Sequence, residues 1–269
     1  MLQFRVWSQL ARIKSYWNFE VIRHIMEVNF QPPIKVTLNQ MSDTLSYLDK
    51  DDKHFFANGE RGFAVAVKLL QDSKIIALPT DTIYGLAGLA QNPKSVEKLY
   101  ELKGRDKSKP FAICLSSVSD ISSWGEIDRV PYNLILSLLP GPVTIVVQRK
   151  PRLNPSFNPG LDTVGIRVTK YRFVRSLSKI LNQPLALTSA NSSNDPSSLE
   201  PKEFSHLWPQ LGGIFHTTPN RKMLRDSYRV GSTIVDLVIP NTYKIIRRGI
   251  KVDQTVRLLE KYGLKERES

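Results

Sequence analysis

Clusters of hydroxyl, amide and cationic side chains recur along the chain where predicted strands end. Arginine recognises planar oxyanions bidentately, lysine supplies a compact positive charge, and hydroxyl groups add neutral hydrogen bonds. Together such groups suit a nucleotide triphosphate held beside a second substrate that carries a carboxylate. Each cluster alone also has an ordinary explanation as a helix cap, a turn or an exposed charge. The clusters are Thr80/Thr82, Lys103/Arg105/Lys109, Thr163/Arg167, Ser189/Asn191/Ser197, Ser232/Thr233 and Arg247.

The first two clusters flank one predicted helix. The apolar run at 75–78 predicts a strand that Pro79 ends, because proline cannot donate to a sheet. Asn92 and Pro93 supply an N-cap and a preset first helical residue, which predicts a helix over 93–103. Hydroxyl groups therefore leave one end of a strand, and cations return at the end of the following helix.

The rest of the pattern alternates between strands and helices, which indicates an α/β fold. Apolar periodicity predicts helices near 63–70, 118–124, 131–139, 171–182 and 253–262. Apolar runs, several rich in β-branched residues, predict strands at 111–115, 143–147, 164–168, 185–187, 214–216, 232–237 and 243–247. The segment 149–163 is predicted to be a surface loop. In open α/β sheets, ligands gather at the carboxyl ends of strands, so the polar clusters are expected there.

The composition predicts a folded and basic protein. The chain has 269 residues, enough to bury a sizeable core in one large domain or two small ones. Its 41% hydrophobic and 23% charged residues argue against disorder, and no apolar run reaches membrane-spanning length. The net charge of +13 favours an anionic partner, a nucleotide or a nucleic acid, although mitochondrial import would also select a basic chain.

Metal and thiol chemistry receive little support from the sequence. The four histidines lie far apart without cysteine or acidic ligands at metal spacing, so we expect no structural zinc site. His206 is interpreted as a packing or surface residue. Cys114 is the single cysteine, which favours a reducing compartment, and its apolar neighbours predict a buried strand. A hydrolase with Cys114 as nucleophile stays an alternative, but it lacks a positioned histidine.

The first 60 residues differ in character from the rest of the chain. Residues 1–28 are amphipathic, basic and poor in acidic residues, which is typical of a mitochondrial presequence. The alternatives are a genuine first helix or an extension upstream of a start at Met26. We expect a domain over 61–263, a short polar tail over 264–269, and a location in the cytoplasm, the mitochondrion or both.

The common nucleotide-binding motifs do not occur in the sequence: it has no Walker A motif, paired glycine-rich fingerprint or kinase catalytic loop. Instead, ordered motifs across residues 61–263 resemble those of the YrdC/TsaC family of threonylcarbamoyl-AMP synthases, particularly its animal members. These motifs are Pro79–Leu86, Lys103-Gly104-Arg105, Leu139–Thr144, Val164–Arg167, Thr188–Asn191 and Gly231–Asp236.

The resemblance implies a fold and a reaction. The fold would be an open, twisted, mixed α/β sheet flanked by helices, with a concave basic groove. The reaction would convert L-threonine, bicarbonate and ATP to L-threonylcarbamoyladenylate and pyrophosphate. A transferase partner would then pass the threonylcarbamoyl group to the tRNA adenosine beside the anticodon. Mg²⁺ would arrive with ATP, bound mainly through phosphate oxygens, so no protein metal site is expected.

The resemblance also implies roles for individual residues. Lys103 and Arg105 would be catalytic, because they could neutralise charge that develops on the phosphates. Their place at a helix end predicts that they are dispensable for packing. Thr82 and Arg167 would hold threonine, with Ser232 nearby. ATP would be contacted by Arg105, Lys109, Thr163, Ser189, Asn191, Ser197 and Arg247. Lys109 and Cys114 depart from the bacterial and archaeal pattern, where asparagine and histidine are common.

A non-catalytic RNA-binding module is the alternative function, because a basic cleft could follow a phosphate backbone. Base stacking would favour exposed aromatic residues interleaved with lysine and arginine. The basic positions in this sequence adjoin hydroxyl-rich loops instead, which favours the synthase, with weak RNA binding compatible with either function.

Overall fold

The computed structural model describes residues 53–104, 110–192, 195–217 and 226–267. The predicted presequence and two of the predicted site residues, Arg105 and Lys109, lie outside the described residues. No helix within the described ranges is long and apolar enough to cross a membrane.

The helices form where apolar periodicity predicts them. Asn92 caps its helix by accepting hydrogen bonds from the backbone N–H groups of Lys94 (3.0 Å) and Ser95 (3.3 Å). Gly104 ends the same helix in the left-handed region, at φ 52°. The α-helices of the described ranges are α1 (Glu60–Gln71), α2 (Pro93–Lys103), α3 (Tyr132–Leu138), α4 (Arg172–Leu181) and α5 (Val252–Lys261), and 3₁₀ segments span Val118–Ser123, Pro201–Gln210 and Asp226–Tyr228.

The strands of the described ranges form one mixed sheet, which confirms the predicted α/β class. They are β1 (His54–Phe56), β2 (Ile76–Leu78), β3 (Gly85–Leu89), β4 (Ala112–Cys114), β5 (Val143–Gln148), β6 (Thr163–Arg167), β7 (Leu185–Ser189), β8 (Gly213–His216), β9 (Thr233–Asp236), β10 (Thr242–Arg247) and β11 (Lys265–Glu266). Their order across the sheet is β1-β8-β2-β3-β7-β4-β6-β5-β9-β10-β11. The central strand β4 runs parallel to β6 and antiparallel to β7.

The structure differs from the sequence predictions at the edges of the domain and in β3. β1 lies upstream of the domain start expected at residue 61, and β11 lies in the expected tail. β3 occupies Gly85–Leu89, where the sequence predicted the continuation of a polar loop. Its Gly-Leu-Ala-Gly-Leu sequence has low intrinsic strand propensity, so pairing with β2 and β7 on both sides defines this strand.

The loop that connects β5 to β6 is also different from its prediction as a surface loop. Leu153 and Phe157 in this loop are fully buried and belong to the main apolar cluster. The Arg149 guanidinium holds the loop by donating to the carbonyl oxygens of Phe157 (2.7 Å), Asn154 (2.9 Å) and Leu153 (3.0 Å). The prolines of the β5–β6 loop end local secondary structure, but tertiary contacts bury other parts of the loop.

One face of the sheet, here called the apolar face, carries the main core. Ile113 pairs with Ile166 and Ala186 across neighbouring strands, so these side chains lie on the same face. They belong to the same buried cluster as Val96 and Leu99 of α2. Leu134 and Ile135 of α3 and Leu259 of α5 complete this side. The apolar face is therefore covered by α2, α3 and α5.

The opposite face, here called the polar face, is covered only in part. Phe215 of β8 lies on this side, 5.4 Å from the ring of Phe173 in α4, which in turn lies 6.0 Å from Phe63 in α1. Farther along the sheet, Ala112 and Gly165 point to the polar face and are only half-buried. Helices α1 and α4 thus cover the side near β8, and the floor over β4 and β6 stays accessible.

Candidate substrate site

The centre of the polar face is an arginine held by an aspartate and a threonine. Arg167, at the end of β6, donates from Nη2 to Asp81 Oδ1 (2.5 Å) and to Thr82 Oγ1 (2.9 Å). Asp81 and Thr82 lie in the loop between β2 and β3, so the contact joins two segments far apart in sequence. Arg167 is only 5% exposed, and its Nε has no hydrogen-bond partner among the described residues. An acceptor on a ligand could satisfy this buried N–H group of Arg167.

The Asp81 carboxylate is charged at neutral pH. Burial alone would raise the pKa of Asp81, but Arg167, the Thr169 hydroxyl and the Lys170 N–H together lower this pKa below its ordinary value. The ion pair between Asp81 and Arg167 is therefore maintained, and it leaves Arg167 with a fixed orientation.

A second polar group lies on neighbouring strands of the same face. Thr144 Oγ1 and Ser232 Oγ are 2.9 Å apart, and Arg247 donates to Ser232 through Nη2 to the hydroxyl and Nε to the carbonyl, each at 3.0 Å. Thr144 and Ser232 are buried, whereas Arg247 is exposed. The structure thus joins the predicted threonine-site residue Ser232 to the predicted ATP-site residue Arg247.

A third polar group surrounds Lys103. Its ammonium group donates to the Ser189 carbonyl oxygen (2.9 Å), to Asn191 Oδ1 (2.9 Å) and to the Asn191 carbonyl oxygen. Lys103 is only 2% exposed. The prediction that Lys103 is dispensable for packing is therefore wrong: its charge is buried in the fold because backbone and amide oxygens replace its water shell. Lys103 fixes the turn that follows β7.

Ser197 lies beside this turn, although it is separated from β7 by a loop. The neighbouring Ser198 donates to the Ala190 carbonyl oxygen (2.6 Å), and Arg229 donates to the Ser197 carbonyl oxygen (2.9 Å). Arg229 is held in turn by two hydrogen bonds to the Glu203 carboxylate, each 2.8 Å. The predicted residues Ser189, Asn191 and Ser197 are therefore brought together.

The predicted site residues share a face of the sheet and not one edge. β7 and β6 run in opposite directions on either side of β4, so Ser189 and Arg167 end their strands at opposite edges. The expectation that the polar clusters meet at one carboxyl edge is wrong for this reason. Thr163, at the start of β6, lies at the Ser189 edge. At about 3.3 Å per residue, Thr163 and Arg167 are separated by about 13 Å along the strand.

Small side chains form the floor between these two ends. A Cβ atom on Gly165 would lie 3.3 Å from Thr144 Cγ2 and 3.5 Å from the Ala112 side chain. There is therefore room for little more than a methyl group between these neighbours, and a larger residue at position 165 would cover the floor.

Asp81, Thr144 and Thr169 received no role from sequence reasoning, although the structure places them in the site. Asp81 and Thr144 lie within motifs that carried the family resemblance, and this was the available signal. Their partners are tens of residues away in sequence, so no local pattern reveals the contacts. The side chain of Thr163 faces the floor, and its role in ATP binding stays a prediction, as do the roles of Arg105 and Lys109.

Cys114 and His206 lie where the sequence predicted. Cys114 is fully buried on β4, and burial raises the pKa of its thiol to about 11, so the thiolate does not form at neutral pH. His206 is exposed, with its Nε2 2.8 Å from Ser192 Oγ, which fits a surface residue. Nucleophilic catalysis by Cys114 is therefore disfavoured on physical grounds.

The fold and the site define a mixed α/β protein with a hydrogen-bonded cationic site on one sheet face. The Sua5_yciO_yrdC family model, described as "Telomere recombination", matches residues 68–249. A bovine threonylcarbamoyl-AMP synthase is 42% identical over 213 residues, covering 77% of this chain and 77% of the relative. The human threonylcarbamoyl-AMP synthase is also 42% identical, over 200 residues that cover 74% of this chain and 71% of the relative.

A solved structure supports the same relationship at the level of the fold. The crystal structure of Pyrococcus abyssi Sua5 complexed with L-threonine matches with a TM-score of 0.67 and 23% identity. The match covers 80% of this chain and 62% of that one. This chain belongs to the Sua5/YciO/YrdC family.

Proposed function

We propose that this protein is a threonylcarbamoyl-AMP synthase, a nucleotidyltransferase that forms L-threonylcarbamoyladenylate and pyrophosphate from L-threonine, bicarbonate and ATP. The observation that carries the proposal is the 42% identity to synthases of that name over most of the chain. The polar face supports it, because cations and hydroxyls line an accessible floor with two ends about 13 Å apart along β6.

The reaction needs no covalent protein intermediate. The amine of threonine first captures carbon dioxide, supplied from bicarbonate, as a carbamate. A carbamate oxygen then forms a bond to the α-phosphorus of ATP, and the bond from that phosphorus to the oxygen bridging the β-phosphate breaks. Pyrophosphate leaves with the electron pair of that bond. The protein must position two anions that repel each other and exclude water from the carbamate.

The threonine end of the site lies at Arg167. The buried Arg167 Nε is without a partner among the described residues, and it would meet the substrate carboxylate. Thr82 and Ser232 would offer hydroxyl groups to the threonine side chain. A buried polar site disfavours analogues that lack the hydroxyl, because its own groups would then lose their partners.

The nucleotide end lies at the edge that carries Thr163 and Ser189. Lys103 holds the Ser189–Asn191 turn in place, and its buried positive charge favours phosphate nearby. Arg105 and Lys109 follow Lys103 in the sequence and are proposed to neutralise phosphate oxygens. Asn191 and Ser197 complete the proposed ATP contacts at this edge, whereas Arg247, which is hydrogen-bonded to Ser232, is proposed to contact ATP from the threonine end.

Mg²⁺ is proposed to enter with ATP. No group of three or more His, Cys, Asp and Glu side chains in the described ranges could hold a metal ion. The ion would therefore be held mainly by phosphate oxygens, where it would offset their charge.

The product is proposed to serve a threonylcarbamoyl transferase that modifies tRNA beside the anticodon. An enzyme that must pass on a reactive mixed anhydride would work near such a partner. The net charge of +13 is compatible with weak RNA binding, and the presequence-like start with a location in the mitochondrion as well as the cytoplasm.

Pyrophosphate release tests the proposed function. The purified protein is incubated with ATP, Mg²⁺ and bicarbonate, with and without L-threonine. We expect release that depends on threonine and on bicarbonate, with serine a weaker substrate than threonine. Release that ignores threonine, or no release at all, would contradict the proposal.

A further inference from the structure

The loop between β2 and β3 contains a carboxylate, that of Asp81, which accepts three hydrogen bonds from other residues of the protein. Asp81 Oδ1 accepts hydrogen bonds from Arg167 Nη2 and from the Thr169 hydroxyl. Asp81 Oδ2 accepts from the backbone N–H of Lys170 (2.9 Å). Every one of these donors lies at the end of β6 or directly after it. Asp81 therefore fastens the β2–β3 loop to the segment that leaves β6.

These contacts fix the orientation of the Arg167 guanidinium. Nη2 is held on one side by Asp81 and Thr82, and the group is planar, so the direction of the remaining N–H groups is set as well. Nε stays buried without a partner among the described residues. An arginine side chain has several rotatable bonds, and ordering them when a ligand binds would cost entropy. Because Asp81 already holds the Arg167 side chain in one orientation, this cost does not fall on binding.

The charges around Arg167 give Asp81 a second role. Arg175 of α4 is close enough for its charge, like that of Arg167, to lower the pKa of Cys114, although burial dominates and raises that pKa. Without Asp81, only the neutral Thr82 would remain as a described partner of Nη2. Neither Thr169 nor the Lys170 N–H could replace the negative charge of Asp81, because both are neutral groups.

We propose that Asp81 is the positioning residue of the threonine end: it holds Arg167 in the orientation in which the guanidinium meets the substrate carboxylate. The inference rests on the proposed function. Asp81 is proposed to act through Arg167 and not by touching the substrate carboxylate, since both are negatively charged and Asp81 already accepts from Arg167, Thr169 and Lys170. An aspartate is needed because an asparagine would lose the charge and present an N–H₂ group to one of these donors.

Steady-state kinetics of Asp81→Asn test the proposal in the pyrophosphate-release assay. The loss of a charge-assisted hydrogen bond of this kind is expected to raise the KM for threonine by about 10- to 100-fold. The KM for ATP should stay within about twofold, since most of the proposed ATP contacts lie at the other edge and Arg247 bonds to Ser232 and not to Asp81. Asp81→Glu, which keeps the charge, should recover part of the loss.

Asp236→Asn is the matched control. Asp236 also pairs with an arginine, with Oδ1 at 3.0 Å from Arg267 Nη2, but it lies on β9, two strands from β6, and its hydrogen-bond and ion-pair partners, Arg267 and Val238, have no proposed role in the site. This variant should change neither KM. Melting temperatures of both variants show whether each is folded before kinetics are compared.

Thr169→Val provides a second test that does not depend on the folding of Asp81→Asn. It removes the hydrogen bond to Asp81, and with it the acceptor of the Tyr171 N–H, but keeps both charges, so the KM for threonine should rise by about threefold to tenfold. An unchanged threonine KM in a folded Asp81→Asn or, if that variant does not fold, in Thr169→Val would overturn the positioning role. An equal rise of both KM values would do the same. Absence of threonine-dependent release in the wild-type protein would instead overturn the proposed function.

Discussion

The two faces of the sheet use alternate residues of the same strands for different purposes. In β6, Ile166 points into the main core of the apolar face, whereas its neighbours Gly165 and Arg167 point to the polar face. The apolar face is filled by large side chains that helices cover. The polar face has a floor of small residues with hydrogen-bonded charges around it. The comparison shows that a single strand can supply stability and chemistry independently, because successive side chains leave it on opposite sides.

The polar face avoids the cost of burying charge by pairing nearly every group internally. A buried polar group without a partner costs a few kcal/mol, and a lone buried charge costs more. On this face Arg167 is paired with Asp81, and Ser232 with Thr144 and Arg247. Lys103, at the end of a helix that covers the apolar face, is likewise paired with three oxygens at the end of β7. Arg167 Nε is buried without a partner among the described residues, as is Nε of Arg175 on α4.

Ile166→Ala tests the apolar face and should give the largest effect. Ile166 is fully buried, so the truncation is expected to lower the free energy of unfolding by about 2–5 kcal/mol. The kcat and KM values of the folded fraction should be unchanged, because the side chain points away from the site. Urea denaturation and pyrophosphate release measure the two quantities. A change in threonine KM as large as that of an Arg167 variant would show that the faces are not independent.

The histidine pair at the edge of the apolar face predicts a pH dependence of stability. His54 Nδ1 and His216 Nε2 lie 2.8 Å apart, and burial together with His54 lowers the pKa of His216 from 6.5 to about 4. The unfolded chain therefore binds a proton below pH 6.5 that the folded chain does not take up until about pH 4. Stability should fall across that window as the pH falls, by about 2 kcal/mol at pH 5.

His216→Gln is the variant that isolates this contribution. Glutamine keeps a hydrogen-bonding group next to His54 but does not titrate, so the slope of unfolding free energy between pH 7 and pH 5 should flatten. Urea denaturation at several pH values provides the measurement. An identical slope in the variant and the wild-type protein would exclude His216 as the source.

Gly165→Ala is the smaller perturbation, next to Ile166 but on the polar face. The added Cβ would lie 3.3 Å from Thr144 Cγ2, so the neighbour must shift by a few tenths of an ångström and stability should change by less than about 1 kcal/mol. The same methyl group occupies the floor of the site, and kcat/KM for threonine is expected to fall by about tenfold. Loss of stability without loss of activity would contradict the assignment of this face.

The sequence predicted elements whose causes are local. The cap at Asn92 and the stop at Gly104 follow from side-chain chemistry and backbone freedom within a few residues. β3 could not be predicted, because glycine and alanine carry little strand preference and two distant partners define the strand. The loop after β5 was not predicted for a similar reason, since Arg149 and the core draw Leu153 and Phe157 inward while the prolines stay exposed.

The site was predicted by residue type but not by geometry. Hydroxyls and cations near strand ends were recognisable, yet their arrangement on one face depends on the strand order around β4. Asp81 illustrates the limit, because an aspartate in a loop has many ordinary explanations, and its partner Arg167 is 86 residues away. The burial of the Lys103 side chain could not be predicted, because a lysine at a helix end is usually exposed.

The separation of a threonine end from a nucleotide end on the polar face is the central claim, and paired KM measurements test it most directly. Arg167→Lys and Thr163→Val are compared with the wild-type protein in the pyrophosphate-release assay. Arg167→Lys should raise the KM for threonine by at least about tenfold and leave the KM for ATP within about twofold. Thr163→Val should raise the KM for ATP by about threefold to fivefold and leave that for threonine unchanged. If both variants shifted both KM values together, the two ends would not be separate and the account would be contradicted.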